Sequence, residues 1–133
     1  MKRYLLLLLA IAGLTQAATI FSGVTANQNT SVTASQYAPP FSPGDQQANL
    51  YASGPLSGTW TATVHFYAAQ NGNSELRLLA TMSLTNAGPN TDGTGTKAYD
   101  NLGINVKGGT SIYADVTNVT GTIPAPGLFA ENK

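Results

Sequence analysis

Residues 59–84 read TWTATVHFYAAQNGNSELRLLATMSL, and the alternation within them decides the fold. Over 59–68, Trp60, Ala62, Val64, Phe66 and Ala68 fall on one side of an extended chain, and Thr59, Thr61, Thr63, His65 and Tyr67 on the other. Successive side chains of a strand point to opposite faces, so this period of two describes a strand with one buried and one open face. Asn71-Gly72 follows, a pair that tolerates the positive φ of a tight hairpin connection. The return run, 75–84, places Leu76, Leu78, Ala80, Met82 and Leu84 on one face. Glu75, Arg77, Thr81 and Ser83 lie opposite, with Leu79 out of pattern. Two adjacent strands that each carry an apolar face need a second layer to cover them, and the natural cover is another sheet.

The same signature extends outward from the hairpin. Short runs rich in Val, Thr, Ile, Tyr and Phe occur at 18–25, 29–34, 48–53, 102–106 and 110–117, with a last short strand starting near Thr120. Loops separate them: 37–47 with Pro39-Pro40 and Pro43-Gly44, the break at 54–58, the Gly/Asn/Thr-rich stretch 86–96, and the turn Lys107-Gly108-Gly109. Helical periodicity is absent from residue 18 onward. Seven to eight strands at this spacing predict an all-β domain, an antiparallel β-sandwich of jelly-roll-like character, over 18–123. Pro124-Ala125-Pro126-Gly127 reads as the opening of a flexible C-terminal tail, 124–133.

Ahead of the domain, Met1-Lys2-Arg3 is a basic head, 4–14 is an apolar run built on Leu5-Leu6-Leu7-Leu8-Leu9, and Thr15-Gln16-Ala17 ends it on a small residue. Basic, apolar and small in that order is the pattern of a signal peptide, and the apolar run is too short to span a bilayer. The sequence therefore predicts a signal peptide over 1–17, cleavage after Ala17, and an extracytoplasmic, secreted or periplasmic product. No second apolar run follows, so no integral membrane segment is expected after processing.

Composition narrows the function classes. The chain has 133 residues, of which 42% are apolar and only 9% charged, and no cysteine. This length suits one domain, and the apolar content exceeds that of disordered chains. Without cysteine there are no disulfides and no thiolate chemistry. Beyond the leader, four cations (Arg77, Lys97, Lys107 and Lys133) face six anions (Asp45, Glu75, Asp92, Asp100, Asp115 and Glu131), a net charge of −2. A weakly acidic domain without clustered Lys and Arg is not built to neutralise nucleic-acid phosphates.

No catalytic centre is legible. His65, the sole histidine, stands on the threonine face of the hairpin and reads as an exposed surface residue; no nucleophile motif accompanies it. Residues 90–95, Asn-Thr-Asp-Gly-Thr-Gly, resemble half of a calcium loop, with Asn90, Asp92 and Asp100 as candidate ligands. Asn101 stands where a bidentate Glu is needed, so the reading is a turn-rich loop with no required metal and no cofactor. Six scattered acids single out no pair for glycoside hydrolysis. Among the aromatics, Trp60 and Phe66 fall on the core face, whereas Tyr67 and Tyr113 fall on polar faces. Tyr67, His65 and Tyr113 are the candidate binding residues, and Tyr99 is a further ring able to stack on a sugar.

The segments Val24-Thr25-Ala26, Gly58-Thr59-Trp60-Thr61-Ala62-Thr63-Val64, Gln70-Asn71-Gly72-Asn73, 79–84, Asp92-Gly93-Thr94 and 113–121 occur in an order that resembles small β-sandwich virion structural proteins of tailed bacteriophages, of the decoration or fibre type. That resemblance spans most of 24–122. It implies a structural role on a particle surface and carries over no catalytic residue. The leader is a departure from that family, whose members assemble in the cytoplasm, and points to an exported relative. The expected function is a non-enzymatic exported structural or surface-attachment module, with self-association into a homo-oligomer or a surface glycan as partner. The alternative is a secreted carbohydrate-binding module. Clustered aromatics on a sheet face would favour sugar binding; a flat threonine-rich face or an open sheet edge would favour assembly.

Overall fold

The computed structural model describes residues 18–24, 32–36, 46–70, 75–107 and 109–133, and every regular element in them is a strand. The strands are β1 (Ala18–Val24), β2 (Val32–Gln36), β3 (Gln46–Pro55), β4 (Trp60–Gln70), β5 (Arg77–Thr85), β6 (Asn90–Thr91), β7 (Lys97–Val106), β8 (Thr110–Gly121) and β9 (Leu128–Asn132). The expected leader 1–17, the Asn71-Gly72 connection and residues 37–45 of the expected loop lie outside the described residues.

The strands form two antiparallel sheets, one ordered β1-β9-β3-β7-β6 and the other β2-β8-β4-β5. This is the expected all-β, sandwich-like architecture. Side chains from the two inner faces interdigitate: Leu50, Ala52, Leu128 and Ala130 from the five-stranded sheet meet Trp60, Val64, Phe66, Leu84, Ile112 and Val116 from the four-stranded one. Trp60 satisfies its single polar atom, its indole N–H donating to the carbonyls of Pro55 at 3.1 Å and Ser57 at 3.2 Å. Gly54 makes room for that ring, since a Cβ there would stand 2.6 Å from it.

The hairpin pairs β4 with β5 from Thr61↔Thr85 to Ala68↔Arg77. On β4 the alternation holds from Trp60 to Phe66, with Trp60, Ala62, Val64 and Phe66 buried; beyond it Ala69 is buried and Ala68, expected in the core, is only partly so. On β5 it holds for Ala80, which packs on the core, and for the buried Met82 and Leu84. Leu76 and Leu78, expected in the core, are exposed, Leu78 at 53%. The cause is a bulge. Phe66 opposes Ala80 and Tyr67 opposes Leu78, so Leu79 is an extra residue on β5. Leu79 and Ala80 both pack on the core, and before them Leu78 is turned to the outer face while 75–78 are all exposed.

The largest departure concerns the end of the chain. Residues 124–133, expected as a flexible tail, supply a strand inside the five-stranded sheet. Pro124 and Gly127 close a turn through a 2.9 Å backbone bond, and β9 then runs between β1 and β3. Leu128 and Ala130 are fully buried, and the Asn132 side chain accepts the Asn49 N–H at 2.8 Å. Smaller differences follow from the same pairing. Part of the expected 86–96 loop forms β6 against β7, which begins at Lys97 rather than near Leu102. The short strand expected near Thr120 is continuous with β8 across a bulge at Asn118, whose φ is 49°. That bulge turns Val119 inward.

Candidate functional site

The outward residues of β4 take their neighbours from strand register alone. His65 stands opposite Asp115 on β8 and opposite Thr81 on β5. Tyr67 stands between Tyr113 and Leu78. The three residues predicted from sequence as binding candidates are therefore assembled on one surface, the outer face of the four-stranded sheet. The β5 bulge adds Leu78, completing a row Leu78, Tyr67, Tyr113 across three strands.

Two further rows lie beside it: Ser83, Thr63, Thr117 and Thr85, Thr61, Thr120. The hydroxyls of Thr61 and Thr120 are hydrogen-bonded across the strands. Such opposed pairs stabilise the pairing of neighbouring strands.

Asp115 organises the centre of this face. One carboxylate oxygen meets His65 Nδ1 at 2.9 Å, and the other accepts the Tyr67 hydroxyl at 3.0 Å. The alternation of β4 predicts an exposed surface residue at His65. Its side chain is instead only 21% exposed and held by that carboxylate. Withdrawal from water, and then the hydrogen bond to Asp115, raises the Tyr67 phenol above its usual pKa, so it remains a neutral donor at neutral pH. Asp115 belonged to the same alternating run as Tyr113, and a β4–β8 register was the missing information.

A histidine held by a carboxylate supplies two of the three roles of a hydrolytic triad. The hydroxyl beside the ring, Thr117 Oγ1, lies 3.4 Å from Nδ1, the nitrogen that already faces Asp115. It is thus not positioned to pass its proton to the ring as a nucleophile must. The arrangement holds the three side chains of His65, Tyr67 and Asp115 to one another on the outer face.

The calcium-like loop resolves into a self-contained turn. The Asp92 carboxylate accepts the hydroxyls of Thr94 and Thr96, each at 2.7 Å, and the backbone N–H groups of Thr96 at 2.8 Å and Lys97 at 3.0 Å. These bonds, that from the Thr96 hydroxyl foremost, hold its pKa well below the usual carboxylate range. Asn90 pairs with Tyr99 in β6, and Asp100 accepts its neighbour's N–H, from Asn101. Among the described residues no three His, Cys, Asp or Glu side chains converge. Because the Asp92 oxygens are already engaged, adding calcium or a chelator should leave the melting temperature where it is. A rise of several degrees with calcium would show that the loop gives up these donors for a cation.

The opposite sheet carries a second aromatic group. Tyr51 on β3 and Tyr99 on β7 stack with ring centroids 5.2 Å apart, and Lys133 lies over Tyr51 at 3.7 Å. Lys97 lies over Phe129 at 5.0 Å. Tyr51 was legible as an outward residue, because Leu50 and Ala52 on either side of it face the core.

No protein-family model matches the chain, and no curated protein is similar to it.

Proposed function

We propose that this is a non-enzymatic, exported structural or surface-attachment module that self-associates through the outer face of its four-stranded sheet and the edge beside it. One observation carries the reading. Among the described residues β5 is paired on one side only, by β4, and residues 78–85 of it hold no charge, no Pro and no Gly.

Edge strands usually carry a charge or proline that discourages pairing with another chain. Of the usual devices, β5 has the charged Arg77 at its first residue and the Leu79 bulge, and from Ala80 to Thr85 its register with β4 is regular. Thr81, Ser83 and Thr85 are exposed along it, continuous with the threonine rows of β4 and β8. Tyr67 is the aromatic on this face of the kind that interface hot spots favour, and the exposed Leu78 stands beside it. A hydroxyl-rich face bordered by an edge that holds no charge from Leu78 to Thr85 is suited to edge-to-edge pairing of copies. The resemblance to virion surface proteins and the signal-peptide pattern support the same structural, extracytoplasmic reading.

Ser83→Lys tests it. The residue is exposed on the outer face and its replacement leaves the core untouched, so the melting temperature should hold within a few degrees. A charge at mid-strand should shift the protein toward monomer in sedimentation velocity. A wild-type protein that stays monomeric at all concentrations, or a Ser83→Lys variant that assembles as before, would reject self-association by this edge.

A further inference from the structure

We infer that the outer face of the five-stranded sheet binds an uncharged saccharide chain, in a groove floored by Gly103. This does not depend on self-association, which uses the other sheet.

The groove has a volume of about 380 Å³ and is lined by Gln47, Ala48, Asn49, Gly103, Ile104, Asn105 and Lys133. That is within the size range of small-molecule sites, roughly 300–1,000 Å³. The stacked Tyr51 and Tyr99 rings, with Lys133 over Tyr51, stand on the same face beside it.

Gly103 is the observation that points to a ligand. The pairing of β3 with β7 runs from Gln46↔Val106 to Pro55↔Lys97 without a shift, so no bulge accounts for a glycine there. A Cβ at Gly103 would meet nothing within 4 Å, and its φ is outside the left-handed region, so neither crowding nor backbone conformation requires it. A glycine in mid-strand weakens the strand, and one cause is the close approach of a ligand to the backbone. Here it leaves bare main chain at the floor of the groove.

The lining chemistry selects the ligand class. Amide side chains present both donors and acceptors, and sugar hydroxyls are also both. Gln47, Asn49 and Asn105 bring three amides to one groove, with a fourth, Asn101, hydrogen-bonded to Asn49 at 3.4 Å. The one cation, Lys133, is already engaged by Glu131 at 3.4 Å, so the groove offers no uncompensated charge to an acidic ligand. The Tyr51 ring is already covered by Tyr99 and Lys133, so the amides and the bare main chain at Gly103, rather than a stacking ring, are what the groove offers a sugar.

The experiment is affinity electrophoresis of the purified protein through gels containing uncharged polysaccharides: a β-1,4-glucan, an α-1,4-glucan, a mannan and a xylan. At least one should retard the wild-type protein. Gly103→Leu should fill the groove and weaken that retardation roughly tenfold or more, with a melting temperature equal to or above that of wild type. Asn105→Ala should weaken it less. Ser83→Lys, on the other sheet, should leave it unchanged, which separates this site from the assembly edge. Absence of retardation by all four polysaccharides, or equal retardation of Gly103→Leu and wild type, would overturn the proposal.

Discussion

Phe66→Ala is expected to destabilise the domain by about 3–5 kcal/mol, the range for truncating a buried aromatic side chain. Phe66 is fully buried at the centre of the four-stranded sheet, paired to Ala80 on one side and Ala114 on the other. Alanine neighbours cannot swell to refill the space, so the cavity term adds to the lost transfer energy. Domain stabilities are of order 5–15 kcal/mol, and this loss approaches the lower bound. Tyr67→Ala, one residue along, removes a half-exposed ring and its hydrogen bond to Asp115, and should cost no more than about 1–2 kcal/mol. Urea denaturation of both variants checks the contrast. Similar losses at the two positions would mean that the outer face is as covered as the inner one, and the open-face reading of the site would fail with it.

A chain ended at Pro124 is expected not to fold. It lacks β9, which lies between β1 and β3 and is hydrogen-bonded to both. Its removal would leave β1 without its partner in the sheet, withdraw Leu128 and Ala130 from the core, and remove the Asn132 acceptor of the Asn49 N–H. Leu128→Ala alone should cost about 2–5 kcal/mol. Loss of the whole strand exceeds that and reaches the total stability of an ordinary domain. The amide region of an ¹H–¹⁵N spectrum gives the answer: collapsed dispersion for the shortened chain, wide dispersion for the full one. A well-dispersed spectrum after truncation would show that β1 and β3 can close the sheet without β9.

That strand also shows where sequence reading loses its grip. Its five residues alternate correctly, Leu128 and Ala130 inward with Phe129 and Glu131 outward, yet they follow Pro-Ala-Pro-Gly, which reads as the start of a tail. Local sequence records a capacity to pair. Whether a partner is available depends on β1 and β3, which are distant in the chain. Leu78 fails for a related reason. Its place in a period-two run predicts burial, but one extra residue at Leu79 reverses the phase, and a bulge is defined only by two strands together.

Within β4, by contrast, the alternation of Trp60, Val64 and Phe66 against Thr63, His65 and Tyr67 was sufficient by itself. A one-residue slip would have placed threonines in the core, and the energetic cost of that excludes it. The all-β class, the two-layer architecture, the hairpin and the outward position of Tyr67, His65 and Tyr113 follow from such short-range patterns. Tertiary structure alone decided that Asp115 holds His65 and Tyr67, that Leu78 joins their face, that β5 is an edge among the described residues, and that Gly103 opens a groove beside Tyr51. Each of these depends on which strand lies next to which, and strand order is fixed by contacts between residues far apart in the chain. Periodicity tells a residue which face it takes, but only the packed sheet tells it what it will meet there.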